Sequence, residues 1–228
     1  MISFRTLLTA SLCVLLFTSA CMAQDFAKYR DFQFGMSPEA VATQMQISPS
    51  AIRTTHLRPA LIQTFQWDKP GYSETGTKNK SLRSIRFDFY NGELSKIVVT
   101  YDPGGTNGLT TDDMIEAISA LYGPAAKPDR TIAVSASSVY PDNQTVLASW
   151  DDAQYSYNLF RSEYGNTFGL VGLSKRLDLM ASVSVREADR LDTLEGPEKE
   201  RALQLKQEAD RRAAQEKARL VSKPSFRP

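Results

Sequence analysis

Cysteine and histidine are almost missing from this chain, and their scarcity excludes several common chemistries. The two cysteines are Cys13 and Cys21, and the one histidine is His56. Both cysteines lie in an N-terminal segment with the pattern of an export signal, so we expect the mature protein to hold no disulfide and no thiol nucleophile. Zinc sites of the usual Cys and His types are therefore excluded. No nucleophile-elbow motif surrounds His56, which we interpret as a loop or capping residue.

An excess of charge of one sign is also missing. The 228 residues include 27 Lys and Arg against 26 Asp and Glu, which gives a formal net charge of +1. A nearly neutral chain offers no electrostatic basis for binding nucleic acid. The glycines of residues 104–108 are not followed by the Lys-Ser/Thr pair of a phosphate-binding loop, and no Ser stands three residues before a Lys, as in penicillin-binding enzymes. We therefore expect no catalytic residues and no cofactor.

The first 23 residues are typical of a bacterial signal peptide. Arg5 supplies a positive start, residues 6–17 form an apolar run too short to span a membrane, and small residues follow. Cleavage after Ala23 would release a soluble protein that begins at Gln24. Alternatively, the residues before Cys21 resemble a loose lipobox, and Cys21 would then carry lipid. Either route predicts export to the periplasm or to the outer membrane.

Residues 24–103 have the pattern of a helix packed on an antiparallel sheet. Asn91-Gly92 is the strongest hairpin signal in the chain, because both residues tolerate the positive φ of a two-residue turn. On the strand before this turn, the alternation of apolar and polar residues places Ile85, Phe87 and Phe89 on one face. The predicted elements are a helix at residues 38–45, which Ser37 caps and Pro38 begins, a strand at 61–67 and the hairpin at 82–102.

Residues 109–180 repeat this order. The run DPGGTNG at residues 102–108 breaks the pattern, and Thr110 or Thr111 then caps a helix that Gly123 ends. Strand patterns follow at residues 131–137, 146–150, 155–161 and 168–173. We therefore predict an α+β fold of two tandem modules, 24–103 and 109–180, each a helix packed on a three- to four-stranded antiparallel sheet, with a charged C-terminal helix after them.

The C-terminal residues 181–228 are rich in Ala, Glu, Gln, Lys and Arg. We predict a helix from Val183 to Glu195, a break at Gly196-Pro197, and a second, charged helix with a disordered end. The apolar stripe of this charged helix is thin and consists of Ala202, Leu205, Ala209, Ala213 and Leu220. A helix of this kind is usually a solvated arm, and the alternative is that it docks on a partner or associates with itself.

Residues 34–41 (FGMSPEAV) resemble a motif of a known family. They match the G-M-[ST]-x-x-x-V opening of small outer-membrane assembly lipoproteins of the SmpA/BamE/OmlA type. The order of elements is similar to that of β-lactamase-inhibitor protein, which carries two α/β modules in tandem. This resemblance implies a non-enzymatic module that binds other proteins. The chain departs from both groups, because Thr18 stands where a lipobox usually has Leu and because the disulfides of the inhibitor proteins are missing.

Aromatic residues on the predicted strands are the candidates for a contact surface. Trp150, Tyr155 and Tyr157 lie on neighbouring strands, and Tyr and Trp are common anchors of protein interfaces. We expect an exported protein, not an enzyme, that binds another envelope or periplasmic protein through a sheet face and contacts the membrane only through lipid on Cys21. The alternatives are a periplasmic hydrolase that uses two carboxylates and a protein that binds a small ligand in an apolar cavity between the modules.

Pairs of acidic residues occur in two places. Asp112-Asp113 and Asp151-Asp152 fall where a helix begins and where a hairpin turns, so we interpret them as cap and turn residues. A weak calcium site at Asp102 or at Asp142-Asn143 is conceivable, although neither has the full EF-hand pattern.

Overall fold

A computed structural model describes residues 25–69, 81–134, 142–162, 167–225 and 227. Within these residues the chain forms ten strands and three α-helices. The strands are Lys28–Tyr29 (β1), Phe32–Gln33 (β2), Arg53–His56 (β3), Ile62–Asp68 (β4), Leu82–Tyr90 (β5), Glu93–Tyr101 (β6), Thr131–Ala133 (β7), Asn143–Asp151 (β8), Tyr155–Arg161 (β9) and Phe168–Ser174 (β10). The helices are Pro38–Met45 (α1), Thr111–Tyr122 (α2) and Lys175–Ser222 (α3), with 3-10 turns at Pro49–Ala51 and Lys223–Ser225.

A single antiparallel sheet of eight strands organises the described residues. Its strand order is β3-β4-β5-β6-β10-β9-β8-β7, and β1 and β2 form a separate small hairpin. Asn91 (φ 49°) and Gly92 (φ 80°) make the turn between β5 and β6, as the sequence predicted. The strands β6 and β10 lie at the centre and pair from Thr100 with Gly169 to Lys96 with Leu173.

This continuous sheet contradicts the predicted fold class of two tandem modules. A helix followed by four strands does occur twice, as α1 with β3 to β6 and as α2 with β7 to β10. The last strands of the two halves pair with each other, however, so residues 24–103 and 109–180 share one sheet. Two separate modules would have left β6 and β10 as long apolar edge strands, and pairing them with each other satisfies their backbone hydrogen-bonding groups.

The main core lies on one face of the sheet, beneath α1, α2 and the β1–β2 hairpin. Ile85, Phe87 and Phe89 of β5 are buried there, in agreement with the predicted alternation. Across this face the core continues to Val41 of α1 and Met114 of α2. The helix α2 begins with a capping box, in which the Thr110 and Asp113 side chains each bond the other's backbone N–H. The predicted helix start at Pro38 is confirmed, and of the two threonines predicted as the cap of α2, Thr110 is the cap.

The N-terminal residues 25–34 are held against this core by two tyrosine hydroxyls. The Tyr122 hydroxyl donates to the carbonyl of Lys28 at 3.0 Å, and the Tyr157 hydroxyl donates to the carbonyl of Phe26 at 3.2 Å. The two tyrosine rings stack with centroids 4.2 Å apart. Burial raises the pKa of Tyr122 to about 12, so the hydroxyl stays protonated and remains a donor at any ordinary pH. The chain is therefore built into the core within a few residues of the predicted cleavage site.

The opposite face of the sheet has a second, smaller core. Val98, Phe160 and Val171 are buried there. Ile132 in β7 and Val134 directly after β7 pack against them. On the same face, the side chain of Arg86 in β5 donates to the Val134 carbonyl and pairs with Asp88. The end strand β7, which pairs with β8, thus also packs against the second face of the sheet.

The helix α3 covers the remainder of this second face. It begins at Lys175, directly after β10, and contacts β10, β6 and β5. Leu177 and Ala188 are its buried residues. The first part of α3 and β7 together cover the middle of this face, so the central strands are buried on both sides.

The C-terminal helix differs from the sequence prediction at its start and at Gly196-Pro197. The predicted start at Val183 is wrong by eight residues, because α3 begins at Lys175. The predicted break at Gly196-Pro197 is also wrong, since α3 is continuous to Ser222 with Pro197 inside it. A proline in a helix removes one backbone hydrogen bond, and the rest of a long helix can continue past that loss. Within the end that was predicted to be disordered, Lys223–Ser225 forms a 3-10 turn, and residues 226 and 228 lie outside the described residues.

Candidate binding surface on the C-terminal helix

The three aromatic residues predicted as contacts are placed in or against the main core. Trp150 and Tyr157 are 1% and 0% exposed. The Trp150 indole donates to the Ser119 hydroxyl at 3.1 Å and to the Gly123 carbonyl at 3.0 Å. Because both side chains are buried, neither Trp150 nor Tyr157 is accessible to a partner in the folded protein. Sequence alone could not show this, because strand aromatics look the same whether the sheet face is covered or free.

Tyr155 is half-buried and also belongs to the packing of this face. Its ring stacks on Phe34 with centroids 5.3 Å apart. Phe34 directly precedes the glycine of the motif that resembles the assembly lipoproteins, so in this chain the motif helps to fix the N-terminal segment on the sheet. The other predicted site residue, Cys21, lies outside the described residues together with the predicted signal peptide, and both stay predictions.

The carboxylates considered for catalysis or calcium have structural partners. Asp113 caps α2, and Asp152 accepts backbone N–H bonds from Gln154 and Tyr155 in the β8–β9 turn. The side chain of Lys69 pairs with Asp102 and holds the pKa of that carboxyl below its usual value. Among the described residues, no group of three or more His, Cys, Asp or Glu side chains could hold a metal ion.

Helix α3 consists of two halves with different surroundings. We call residues 175–195 the docked half and residues 196–222 the arm. The docked half is held by ion pairs in addition to its buried residues. Lys96 in β6 contacts Asp178 at 2.7 Å, and Lys175 contacts Asp151 at 3.3 Å. These contacts fix the start of the helix on the sheet.

The last contact of the docked half is an ion pair with the β3–β4 connection. Both terminal nitrogens of the Arg58 guanidinium contact the Glu195 carboxylate, and Lys199 contacts the same carboxylate at 3.1 Å. These two cations lower the pKa of Glu195 from 4.5 to about 2, with Arg58 as the main cause. The helix leaves the globular domain immediately afterwards, at Gly196-Pro197. The sequence signal interpreted as a helix break thus marks the point of departure.

The arm extends from the domain as an exposed helix. Every residue from Pro197 to Pro224 is exposed, apart from the half-buried Glu208. At 1.5 Å per residue, the arm is about 40 Å long. Ion pairs within the helix support it, for example Arg212 with Glu208 and Arg219 with Glu216, both at 2.6 Å. Pairs of this type stabilise an exposed helix by roughly 0.2–0.5 kcal/mol each.

Exposed apolar side chains are concentrated on α3. Of the eleven large hydrophobic residues that are exposed within the described part of the chain, eight belong to this helix. On the arm they are Leu203, Leu205, Leu220 and Val221, with exposures of 55%, 68%, 59% and 71%. Isolated exposed leucines are common on protein surfaces. Their concentration on a projecting helix, however, distinguishes the arm from the rest of the described surface.

Charge is distributed unevenly along α3. From Glu187 to Asp210 there are eight acidic and four basic side chains, whereas from Arg211 to Lys223 there are five basic and one acidic. Most of this acidic excess lies in the docked half, because residues 196–210 of the arm carry four acidic and three basic side chains. The tip of the arm is basic. The nearly neutral total charge of the chain conceals this polarity, and counting charges by segment reveals it.

Comparison with protein-family models, with curated proteins and with solved structures found no match. The similarity to the assembly lipoproteins and the inhibitor protein remains limited to the motif and the order of elements. None of the described helices is long and apolar enough to cross a membrane. The function must therefore be inferred from the surface of this protein itself.

Proposed function

We propose that this chain is an exported, non-enzymatic protein of the bacterial envelope that binds another protein through the arm of α3. The observation that carries the proposal is the arm itself, a helix about 40 Å long that leaves the domain with its leucines exposed. Helices that lack a buried face gain little stability from packing, so a long one of this kind is typical of a surface that another molecule covers.

The surroundings of the arm support this choice of surface. The faces of the central strands are covered by α1 and α2 on one side and by the docked half and β7 on the other. Of the two end strands, β3 has four residues and a register shift beside His56, and β7 has three. Short or irregular edge strands are poor templates for adding a further strand. The predicted sheet-face contact is thus replaced by a helix-face contact.

Site-specific photo-crosslinking tests this proposal. A photoreactive amino acid replaces Leu205 on the arm, in bacterial cells that export the full chain. The matched control replaces Leu121, which is equally exposed, at 67%, but lies on α2. The proposal predicts discrete heavier species from the Leu205 variant that the Leu121 variant does not give. Equal or absent crosslinking at the two positions would overturn it.

A further inference from the structure

We infer that the partner of the arm is a second copy of this chain, and that the two arms pair antiparallel about a two-fold axis near Arg211. This inference rests on the proposed role of the arm and names its partner. Three observations carry it: the spacing of one stripe of residues, the position of the stripe's centre within the arm, and the concentration of basic charge at the arm's tip.

The stripe consists of six residues whose spacing alternates between four and three. They are Ala202, Lys206, Ala209, Ala213, Glu216 and Leu220. This alternation is the heptad spacing of the contact positions of a coiled coil, and it keeps the six residues on one side of the helix. All six are exposed. The three alanines would allow two helix backbones to approach closely, because the distance between packed helices depends on the side chains at the contact.

The stripe reads as a palindrome when one arm is reversed against the other. In the antiparallel register centred on residue 211, Ala209 meets Ala213 of the second copy and Ala202 meets its Leu220. In the same register Lys206 meets Glu216 of the second copy, and the two-fold axis creates that ion pair twice. A two-fold interface requires this kind of self-complementarity. If residue i of one copy contacts residue j of the other, then residue j of the first copy must also contact residue i of the second. A parallel pair would instead place Lys206 against Lys206 and Glu216 against Glu216.

The same register uses the full length of the arm. Asp210 and Arg211 lie midway between Gly196, where the helix leaves the domain, and Ser225, where the last turn ends. The tip of each arm would therefore reach the base of the other without overlapping the second globular domain. The centre of the palindrome and the centre of the free helix are defined independently, one by residue types and one by the structure, and they coincide.

Charge polarity favours the same orientation. In this register the basic tip, residues 211–223, would lie beside residues 199–211 of the second copy, which carry four basic and three acidic side chains, whereas a parallel pair would place two strongly basic tips together. Asp210 and Arg212 flank the axis, where each would approach its own counterpart, although Arg212 is already paired with Glu208. These like-charge approaches oppose association, and alanine buries little apolar surface. We therefore expect a weak, reversible dimer with the globular domains at opposite ends of a rod.

Sedimentation of the purified chain from Gln24 onward tests the inference through charge exchange. Lys206→Glu and Glu216→Lys each create like-charge contacts, and we expect each to raise the dimer dissociation constant by about fivefold or more. The double variant restores both ion pairs and should return the constant close to its original value. Arg211→Glu, which makes the same charge change on the opposite side of the helix, is the control and should have little effect. A monomer at all concentrations, or a double variant that adds the two losses, would overturn the inference.

Disulfide trapping tests the orientation. The chain from Gln24 onward contains no cysteine, so Ala202→Cys and Leu220→Cys variants each carry a single thiol. Mixed and oxidised, they should form the mixed 202–220 dimer in preference to either homodimer. Preferential homodimers would contradict the antiparallel register. If the purified chain is monomeric while Leu205 crosslinks a protein of a different mass in cells, this inference fails and the proposed function stands. If neither measurement finds a partner, both fail.

Discussion

Glycines in β10 define the tightest packing of the sheet at the level of single residues. A Cβ added to Gly169 would lie 2.1 Å from the Phe160 ring, and one added to Gly172 would lie 2.5 Å from the Tyr157 ring. Real Cβ atoms do not approach other atoms this closely, so the rings require glycine beneath them. The sequence shows these glycines, but it does not show which ring covers each of them, because that depends on the register of β9 against β10.

Gly169→Ala should destabilise the protein because the buried Phe160 ring must move to make room. Overpacking of this kind costs about 1–3 kcal/mol. Gly196→Ala is a matched control, since nothing lies within 4 Å of an added Cβ there. Alanine is favoured over glycine in a helix by up to about 1 kcal/mol, so this variant should be neutral or more stable. Chemical denaturation of the two variants measures both effects, and equal effects would contradict the packing described for β10.

The pKa of Glu195 reports on the contact that ends the docked half. Its folded value of about 2 lies below the ordinary 4.5, so the folded state binds this proton less readily than the unfolded state. The contribution of the contact is therefore complete above pH 4.5 and is lost as the pH falls toward 2. NMR titration of the Glu195 carboxyl should show the low midpoint, and Arg58→Gln should move it back toward 4.5. An ordinary midpoint in the unsubstituted protein would mean that Arg58 does not hold the helix there.

Elements were predictable from the sequence where local chemistry determines them. The Asn91-Gly92 turn, the Thr110 cap and the Ser37-Pro38 start each depend on residues within one turn of chain, and each is present. The course of α3 was not predictable in this way. Glycine and proline together suggest a helix end. The Glu195–Lys199 ion pair spans them, however, and the ion pairs farther along the arm support the helix beyond them.

The pairing of β6 with β10 decides the architecture of the whole molecule and was not predictable from local signals. The two strands are almost seventy residues apart, and no residue pattern in either strand indicates which strand it pairs with. A hint was present in Ile97-Val98-Val99 and Leu170-Val171, because consecutive apolar residues indicate a strand buried on both faces. The placement of Trp150 and Tyr157 follows from the same point, since a sheet covered on both faces has no free aromatic surface at its centre.

A sheet shared by both halves should make the protein fold as one unit. We expect residues 24–103 and 109–228, produced separately, to remain unfolded or to aggregate, because each would expose β6 or β10 as an apolar edge. When mixed during refolding, the two fragments should recover the circular dichroism and the cooperative unfolding of the intact chain. Independent cooperative folding of either fragment would contradict the shared sheet and would favour separate modules.

The division of α3 into a docked half that stabilises the fold and an arm that makes contacts underlies both proposals. The most direct test is a chain that ends at Lys199, compared with the full chain at low concentration, where self-association adds no stability. We expect an unchanged thermal unfolding midpoint, with complete loss of self-association in sedimentation. A lower midpoint would show that the arm packs on the domain, and self-association that persists without it would place the contact surface elsewhere.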